Sequence, residues 1–311
     1  MLNFFKLTLD DIYRLKPYFN YSSNQTCDNT VGGTFMWRDF FSTEYALFND
    51  TLIFKVKYFQ RGTAFSLPLG DEKNLPASIE EITKYCRFTG TPLVFCMVTE
   101  ENIKILKNFF DKIEIYQEIN WSDYLYKAED LIYLSGRKFN GQRNHINYFK
   151  KTYQDYLFEK IDCNNVNEVK EFYAASDLID SKSTAIFIEE QNKTFEVLEN
   201  YGTYGLLGGL LRVNGAIIGF AIGEISKNTL YVHIEKANSQ YRGAYQILVN
   251  EFAKRYASKE SEESEESNGI EFINREEDDG DEGLRISKLS YHPCGIIEKY
   301  TATVNTFHLF L

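Results

Sequence analysis

The chain has 311 residues, 43% apolar and 16% aromatic, with 25 Phe and 22 Tyr; this length and composition predict about two domains with full hydrophobic cores. No run approaches the roughly 20 apolar residues that cross a bilayer, the first residues lack the basic-then-apolar order of a signal peptide, and five scattered cysteines without C-x-x-C exclude a disulfide framework, so a cytoplasmic protein without a metal site is expected. Residues 258–282 hold nine Glu and three Asp against Lys259 and Arg275, nearly all of the net charge of −11, so an anionic ligand elsewhere is not excluded.

Thr8-x-x-Asp11 predicts a capped helix over 10–19. Residues 22–39 are polar and then aromatic, with Gly32-Gly33 expected to bend the chain. Residues 44–48, 52–58 and 64–67 read as three short strands joined by turns. Ser78-x-x-Glu81 predicts a helix to about 88, residues 92–98 a buried strand, and Thr99 the cap of a helix reaching 110. Strands over 113–117 and 121–126 close this half. The second half repeats the order: a strand at 157–161, helices at 166–178 and 187–200, then a hairpin over 205–224 turned by Asn214-Gly215.

Residues 230–256 form the centre of the second half. Leu230, Val232 and Ile234 alternate with Tyr231, His233 and Glu235, as in a strand with two different faces. A loop over 237–243 follows, and Tyr245, Leu248, Val249, Phe252 and Tyr256 recur at helical spacing. A helix start above a strand end attracts phosphate or carboxylate. Residues 258–269, rich in Ser and Glu, read as a flexible insert. A strand at 269–273, a helix at 281–291 and a closing strand at 296–304 complete the chain. The repeated order implies duplication of one α/β unit, divided at 130/131. A basic helix over about 137–152, with Arg137, Lys138, Arg143 and His145, spans that junction. It is read either as an anion-binding helix or as a solvated connector paired with the acidic segment.

Three segments carry a resemblance: Gly136-Arg-Lys-Phe-x-x-x-Arg-Asn-His-Ile-Asn-x-Phe149; His233-Ile-Glu-Lys-Ala237 with Gly243; and Asn274-Arg-Glu-Glu-Asp-Asp-x-Gly-Asp-Glu-Gly-Leu-Arg-x-x-Lys288 with Tyr291-x-Pro293. Over nearly the whole chain they resemble the family related to the C-terminal domain of phosphatidylglycerol lysyltransferase, itself akin to the Fem-type aminoacyltransferases. The resemblance implies an α+β fold of two tandem GNAT-like (acyl-CoA N-acyltransferase) units, each a mixed, mostly antiparallel sheet flanked by helices. It also implies transfer of an acyl or aminoacyl group from acyl-CoA or aminoacyl-tRNA to an amine or hydroxyl, with no tightly bound cofactor. A small molecule or lipid headgroup is the implied acceptor and tRNA an implied partner. Gln240-Tyr241-Arg242-Gly243-Ala244-Tyr245 resembles the acyl-CoA signature Gln/Arg-x-x-Gly-x-Gly/Ala, except for Tyr245.

Such transfer needs a base, an acid and an oxyanion partner. Glu235 and His233 are expected on one strand face as candidate bases, with Lys236 opposite. Asn274, Arg275 and Glu276 follow a strand, where open α/β sheets bind ligands. Arg285 and Lys288 share a helix face as candidate anion binders, or pair with Asp281 and Glu282. Tyr291 is the candidate acid. The rival readings are a ligand-binding or regulatory protein without turnover, which the degenerate loop favours, and an acetyl-CoA N-acetyltransferase, which Tyr245 disfavours.

Overall fold

The computed structural model describes residues 1–22, 24–175, 185–259 and 269–305. Most of the expected acidic insert, residues 260–268, lies outside the described residues, as do residues 176–178 of an expected helix. In chain order the strands are β1 (Phe5–Lys6), β2 (Glu44–Phe48), β3 (Thr51–Lys57), β4 (Thr63–Phe65), β5 (Leu93–Val98), β6 (Ile113–Gln117) and β7 (Asp123–Lys127), then β8 (Leu157–Lys160), β9 (Leu207–Val213), β10 (Ala216–Ser226), β11 (Thr229–Ala237), β12 (Phe272–Asn274), β13 (Gly295–Ile297) and β14 (Tyr300–Val304). The helices are α1 (Ile12–Phe19), α2 (Val31–Met36), α3 (Leu75–Thr89), α4 (Glu100–Lys107), α5 (Ala128–Tyr133), α6 (Asn140–Thr152), α7 (Val166–Ala175), α8 (Ala185–Glu199), α9 (Tyr201–Tyr204), α10 (Ala244–Ala257) and α11 (Glu282–Leu289).

These strands form two mixed seven-stranded sheets, ordered β1-β2-β3-β4-β5-β14-β6 and β13-β7-β12-β11-β10-β9-β8. Each contains a parallel pair, β4 with β5 in the first and β11 with β12 in the second. The chain divides into compact units of residues 1–123 with 297–311, and of residues 124–296. Two strands therefore depart from sequence order: β7 joins the second sheet beside β12, and β14 enters the first between β5 and β6.

In the first unit, Ile79, Ile82 and Cys86 of α3 and Ile103 and Leu106 of α4 pack on Ile53, Phe65, Phe95 and Ala302 of the sheet. The expected cap at Ser78 is instead inside α3, which starts at Leu75; the Ser78 hydroxyl lies 2.8 Å from that of Thr51. Gly32-Gly33 does not bend the chain but lies within α2, whose first turn is capped by Thr30. A Cβ on Gly33 would sit 2.0 Å from the Cys27 carbonyl oxygen, so glycine serves close packing there.

The loop before β14 places Lys299, 1% exposed, between two carboxylates, 2.7 Å from Asp28 and 2.6 Å from Asp123. Asp123 also accepts the Cys27 amide at 2.7 Å. Burial pushes the Asp28 carboxyl above its ordinary range even against the pull of Lys299. Removing one member of such a cluster leaves buried charge uncompensated. Lys299→Met is therefore expected to lower stability in urea denaturation by about 3–5 kcal/mol, whereas a loss below about 1 kcal/mol would mark the ion pairs as energetically idle.

Candidate functional site

The second unit has its core between the sheet and α10: Ile247, Leu248, Phe252 and Tyr256 cover Leu211, Leu230 and Val232, with Leu131 of α5 and Ile146 and Phe149 of α6 alongside. Asn214 and Gly215 both take positive φ in the β9–β10 turn, as a type I′ hairpin requires. Between β10 and β11, Gly223 pairs with Val232 but Ile222 pairs with Ile234, so His233 is the extra residue of a β-bulge. A Cβ on Gly223 would lie 2.1 Å from the Tyr231 carbonyl oxygen; glycine permits this approach.

The bulge corrects the strict alternation expected from sequence. His233 and Glu235 do not share a face in simple period two, because one extra residue resets the period. Leu230, Val232 and Glu235 together line a crevice under α10, with Leu131, Val249, Phe252, Ala253, Ile273 and Arg275. The crevice leaves no room for a water molecule. Lys236 points elsewhere and pairs with Glu190 of α8 at 2.6 Å.

His233 is 1% exposed at its side chain; its Nδ1 lies 2.6 Å from Glu276 and its Nε2 2.8 Å from Glu224. Burial alone would lower its pKa, but the carboxylates of Glu276 and Glu224 outweigh burial and push it up to about 10. At neutral pH the ring is an imidazolium and cannot serve as the expected base. Glu235, the other expected base, spends both oxygens on Arg275: Arg275 Nε donates to Oε1 at 3.2 Å and Nη2 donates to Oε2 at 2.5 Å.

β11 and β12 are parallel only over Thr229–Tyr231 and Phe272–Asn274, and then part. The Glu235–Arg275 pair lies beyond the last paired residues. Buried Asn274 accepts the Glu276 amide at 2.7 Å, and Glu276 takes φ +57°. Lys288, also buried, donates to the carbonyl oxygens of Arg275 and Glu277; burial, and then Arg275, hold its pKa down. Arg285 pairs through two nitrogens with Asp278, seven residues back in the chain. Asp278 also accepts the Tyr124 hydroxyl at 2.5 Å, and these bonds hold its carboxyl low against its burial.

The Arg275 guanidinium lies 4.8 Å from the Tyr291 ring centroid. Arg275 Nη1 and the Tyr291 hydroxyl are both buried and have no hydrogen-bond partner. Burial raises the Tyr291 pKa despite Arg275, so the hydroxyl keeps its proton.

The basic junction helix is largely engaged within the protein. Arg143 donates to the Gly136 carbonyl at 2.7 Å and also to Leu134 and Asn140, closing the left-handed end of α5. Lys138 pairs with Asp130 at 3.0 Å, while Arg137 is exposed. His145 contributes a backbone carbonyl that would lie 2.6 Å from a Cβ on Gly243, whose φ is +92°. In the loop before α10, the amides of Gln240, Tyr241 and Ala244 donate to Asn238 Oδ1, Asn238 O and Tyr241 O. Gln240 and Arg242 are exposed, and Arg242 covers the Tyr148 ring at 4.6 Å.

Sequence reasoning missed Glu224, Asp278 and Tyr124. Asp278 lay in the acidic segment 258–282, which was read only for its summed charge; its signal was Arg275 and Arg285 flanking it.

The family described as "Phosphatidylglycerol lysyltransferase, C-terminal" matches residues 19–303. A conserved protein of unknown function from Bacteroides thetaiotaomicron is 30% identical and superposes with a TM-score of 0.86, covering 98% of this chain and 100% of that one. L-PGS from Bacillus licheniformis is 15% identical, with a TM-score of 0.64 over 94% of this chain and 92% of its own. FemX is 9% identical, with a TM-score of 0.58 over 96% of both chains. The fold is thus the tandem GNAT-like α+β arrangement, with two mixed sheets and their helices. Among the described residues no helix is long and apolar enough to cross a membrane.

Two outcomes follow from the buried groups. A histidine whose pKa rises on folding stabilises fully below its unfolded value, about 6.5, and loses that contribution as pH climbs through the folded value of about 10. The stability difference between wild type and His233→Gln should therefore shrink between those limits, by up to about 1.4 kcal/mol per pH unit; a difference independent of pH would show that the ring is not charged. Tyr291→Phe removes a hydroxyl that has no partner, so its Tm should equal or exceed the wild-type value.

Proposed function

The chain belongs to the phosphatidylglycerol lysyltransferase C-terminal family, and on that premise we propose that it moves an activated acyl or aminoacyl group to an amine or hydroxyl acceptor. The observation that carries the site is the buried pair of unpartnered groups, Arg275 Nη1 and Tyr291 OH, where β11 and β12 part. Native proteins rarely leave such groups unsatisfied without a use for them. Parallel strands of α/β sheets bind ligands beyond their carboxyl ends.

In this reading the acceptor nitrogen attacks the ester carbonyl carbon. Charge gathers on the carbonyl oxygen, where Arg275 Nη1 donates to it. As the new C–N bond forms and the C–O bond breaks, Tyr291 gives its proton to the leaving oxygen and regains one from the ammonium just formed. Glu235 acts as a positioning residue, because it fixes the plane of the Arg275 guanidinium. Asn274 and Lys288 hold the turn that carries Arg275. Glu276 holds that turn from the other side through His233. Arg285 reaches it through Asp278.

Aminoacyl-tRNA is the favoured donor over acyl-CoA. A pyrophosphate held at the start of α10 would draw on loop amides, and those of Gln240, Tyr241 and Ala244 already donate within the loop. Arg137, Lys151 and Arg242 are exposed cations of the kind that pair with a nucleic acid backbone.

The test follows loss of label from aminoacyl-tRNA in the presence of small amines, with acetyl-CoA as the rival donor. Wild type should consume the aminoacyl ester, and Tyr291→Phe should slow it by about 10²-fold. Arg275→Lys, which keeps charge but not the fork, should cost a comparable factor. Consumption of acetyl-CoA alone would replace the donor, and full activity of both variants would discard the site.

A further inference from the structure

We infer that a second copy of this chain extends the first sheet, by antiparallel pairing of β6 with β6 of the copy across a two-fold axis at Ile115. This surface is independent of the acyl-transfer reading. On its inner side β6 pairs with β14 over its whole length, Ile113 to Gln117, without a register shift. Among the described residues no strand pairs with its outer side, so it ends the sheet. Folded proteins blunt such edges with short strands, prolines, bulges or charge. The other sheet ends follow that rule: β1 and β13 are two and three residues long, and β8 carries Glu159 and Lys160. In contrast, β6 has five residues, no proline and no bulge, and it exposes Ile115 and Tyr116 at 41% and 57%. Ile119, just beyond it, is 67% exposed.

The side chains of β6 alternate between two faces. Ile113 lies on the face that packs on the core of the first unit, and Ile115 and Gln117 share it. Glu114 and Tyr116 take the opposite face. There the Arg61 guanidinium covers the Tyr116 ring at 4.2 Å, with Nε 3.3 Å from Glu118. Charge then selects the register. An axis at Ile115 sets Glu114 of each copy opposite Tyr116 of the other, beside the guanidinium that covers it, and brings the two Ile115 side chains together. Glu114 is exposed and accepts from Asn305 Nδ2 at 2.6 Å; a carboxylate takes several donors, and a guanidinium offers five. Moving the axis to Tyr116 sets Glu114 against Glu118 and the two Arg61 side chains together, and moving it to Glu114 sets the two Glu114 carboxylates together. Like charges directly opposite destabilise a strand pair. In edge-to-edge pairing the backbone hydrogen bonds give affinity and the side chains give specificity. A surface that is its own complement closes as a dimer.

The test is sedimentation velocity of the full chain up to about 100 μM, where the wild type should run as a reversible dimer. Glu114→Arg sets an arginine against Arg61 of the copy, and Arg61→Glu sets a glutamate against Glu114 of the copy. Each variant alone should dimerise at least about tenfold more weakly than wild type. Mixed in equal amounts, the two variants restore opposite charges at both contacts, and their heterodimer should regain wild-type affinity to within about tenfold. A wild type that stays monomeric overturns the inference, and so do variants that dimerise as tightly as wild type. A mixture no tighter than the variants alone, with both folded by circular dichroism, discards this register and the inference with it.

Discussion

A cation sealed between strands must be answered by anions, and in the second unit that constraint organises everything near the end of β11. His233 enters the ladder as a bulge residue and is held from both sides by Glu224 and Glu276. Glu276 can reach it only because the chain turns sharply after Asn274, through a left-handed residue. The same turn ends the pairing of β11 with β12 and carries Arg275 to Glu235. One extra residue in a strand thus sets the direction of two charged side chains, opens a parallel pair and fixes the guanidinium. Hydrogen-bonded ion networks of this kind are costly to leave half formed, which makes the turn rigid.

The buried groups separate two uses of charge. Lys299, His233 and Arg285 are matched by carboxylates and serve the fold. Arg275 is matched on only part of its guanidinium, and Tyr291 not at all. A fold optimised for stability alone would put hydrocarbon at the second position. Groups that cost stability and gain nothing within the folded chain are typical of sites adapted to a ligand.

Much of this was legible in the sequence. Local rules located most of the longer elements, because Asn214-Gly215, Thr99 and the stripe of α10 act over a few residues, but they missed the short β1, α2, α5 and α9 and merged β13 with β14. Positions 233, 235, 275, 288 and 291 were also marked as candidates, Glu235 as a charge within an otherwise apolar strand and the others by strand-end or helix position. Their roles were not legible. A period-two reading cannot reveal a bulge, since the extra residue depends on Gly223 in the neighbouring strand. Nor does helix spacing reveal that Arg285 reaches Asp278, seven residues back across a turn. Partners that lie far apart in sequence are fixed by topology, and that is where expectation and structure diverge.

The placement of β14 has a consequence for the order in which the protein assembles on the ribosome. Residues 124–296 contain every strand of the second sheet except the ends of β7 and β13, and can form as soon as they emerge. The first sheet cannot. Its β5 and β6 are synthesised early but are separated by a gap that only residues 300–304 fill, and Asp28 and Asp123 wait equally for Lys299. Until then the nascent chain carries two unpaired strand edges and a pair of uncompensated acids, the features that attract chaperones and misassembly. The half of the protein made first is therefore the half completed last.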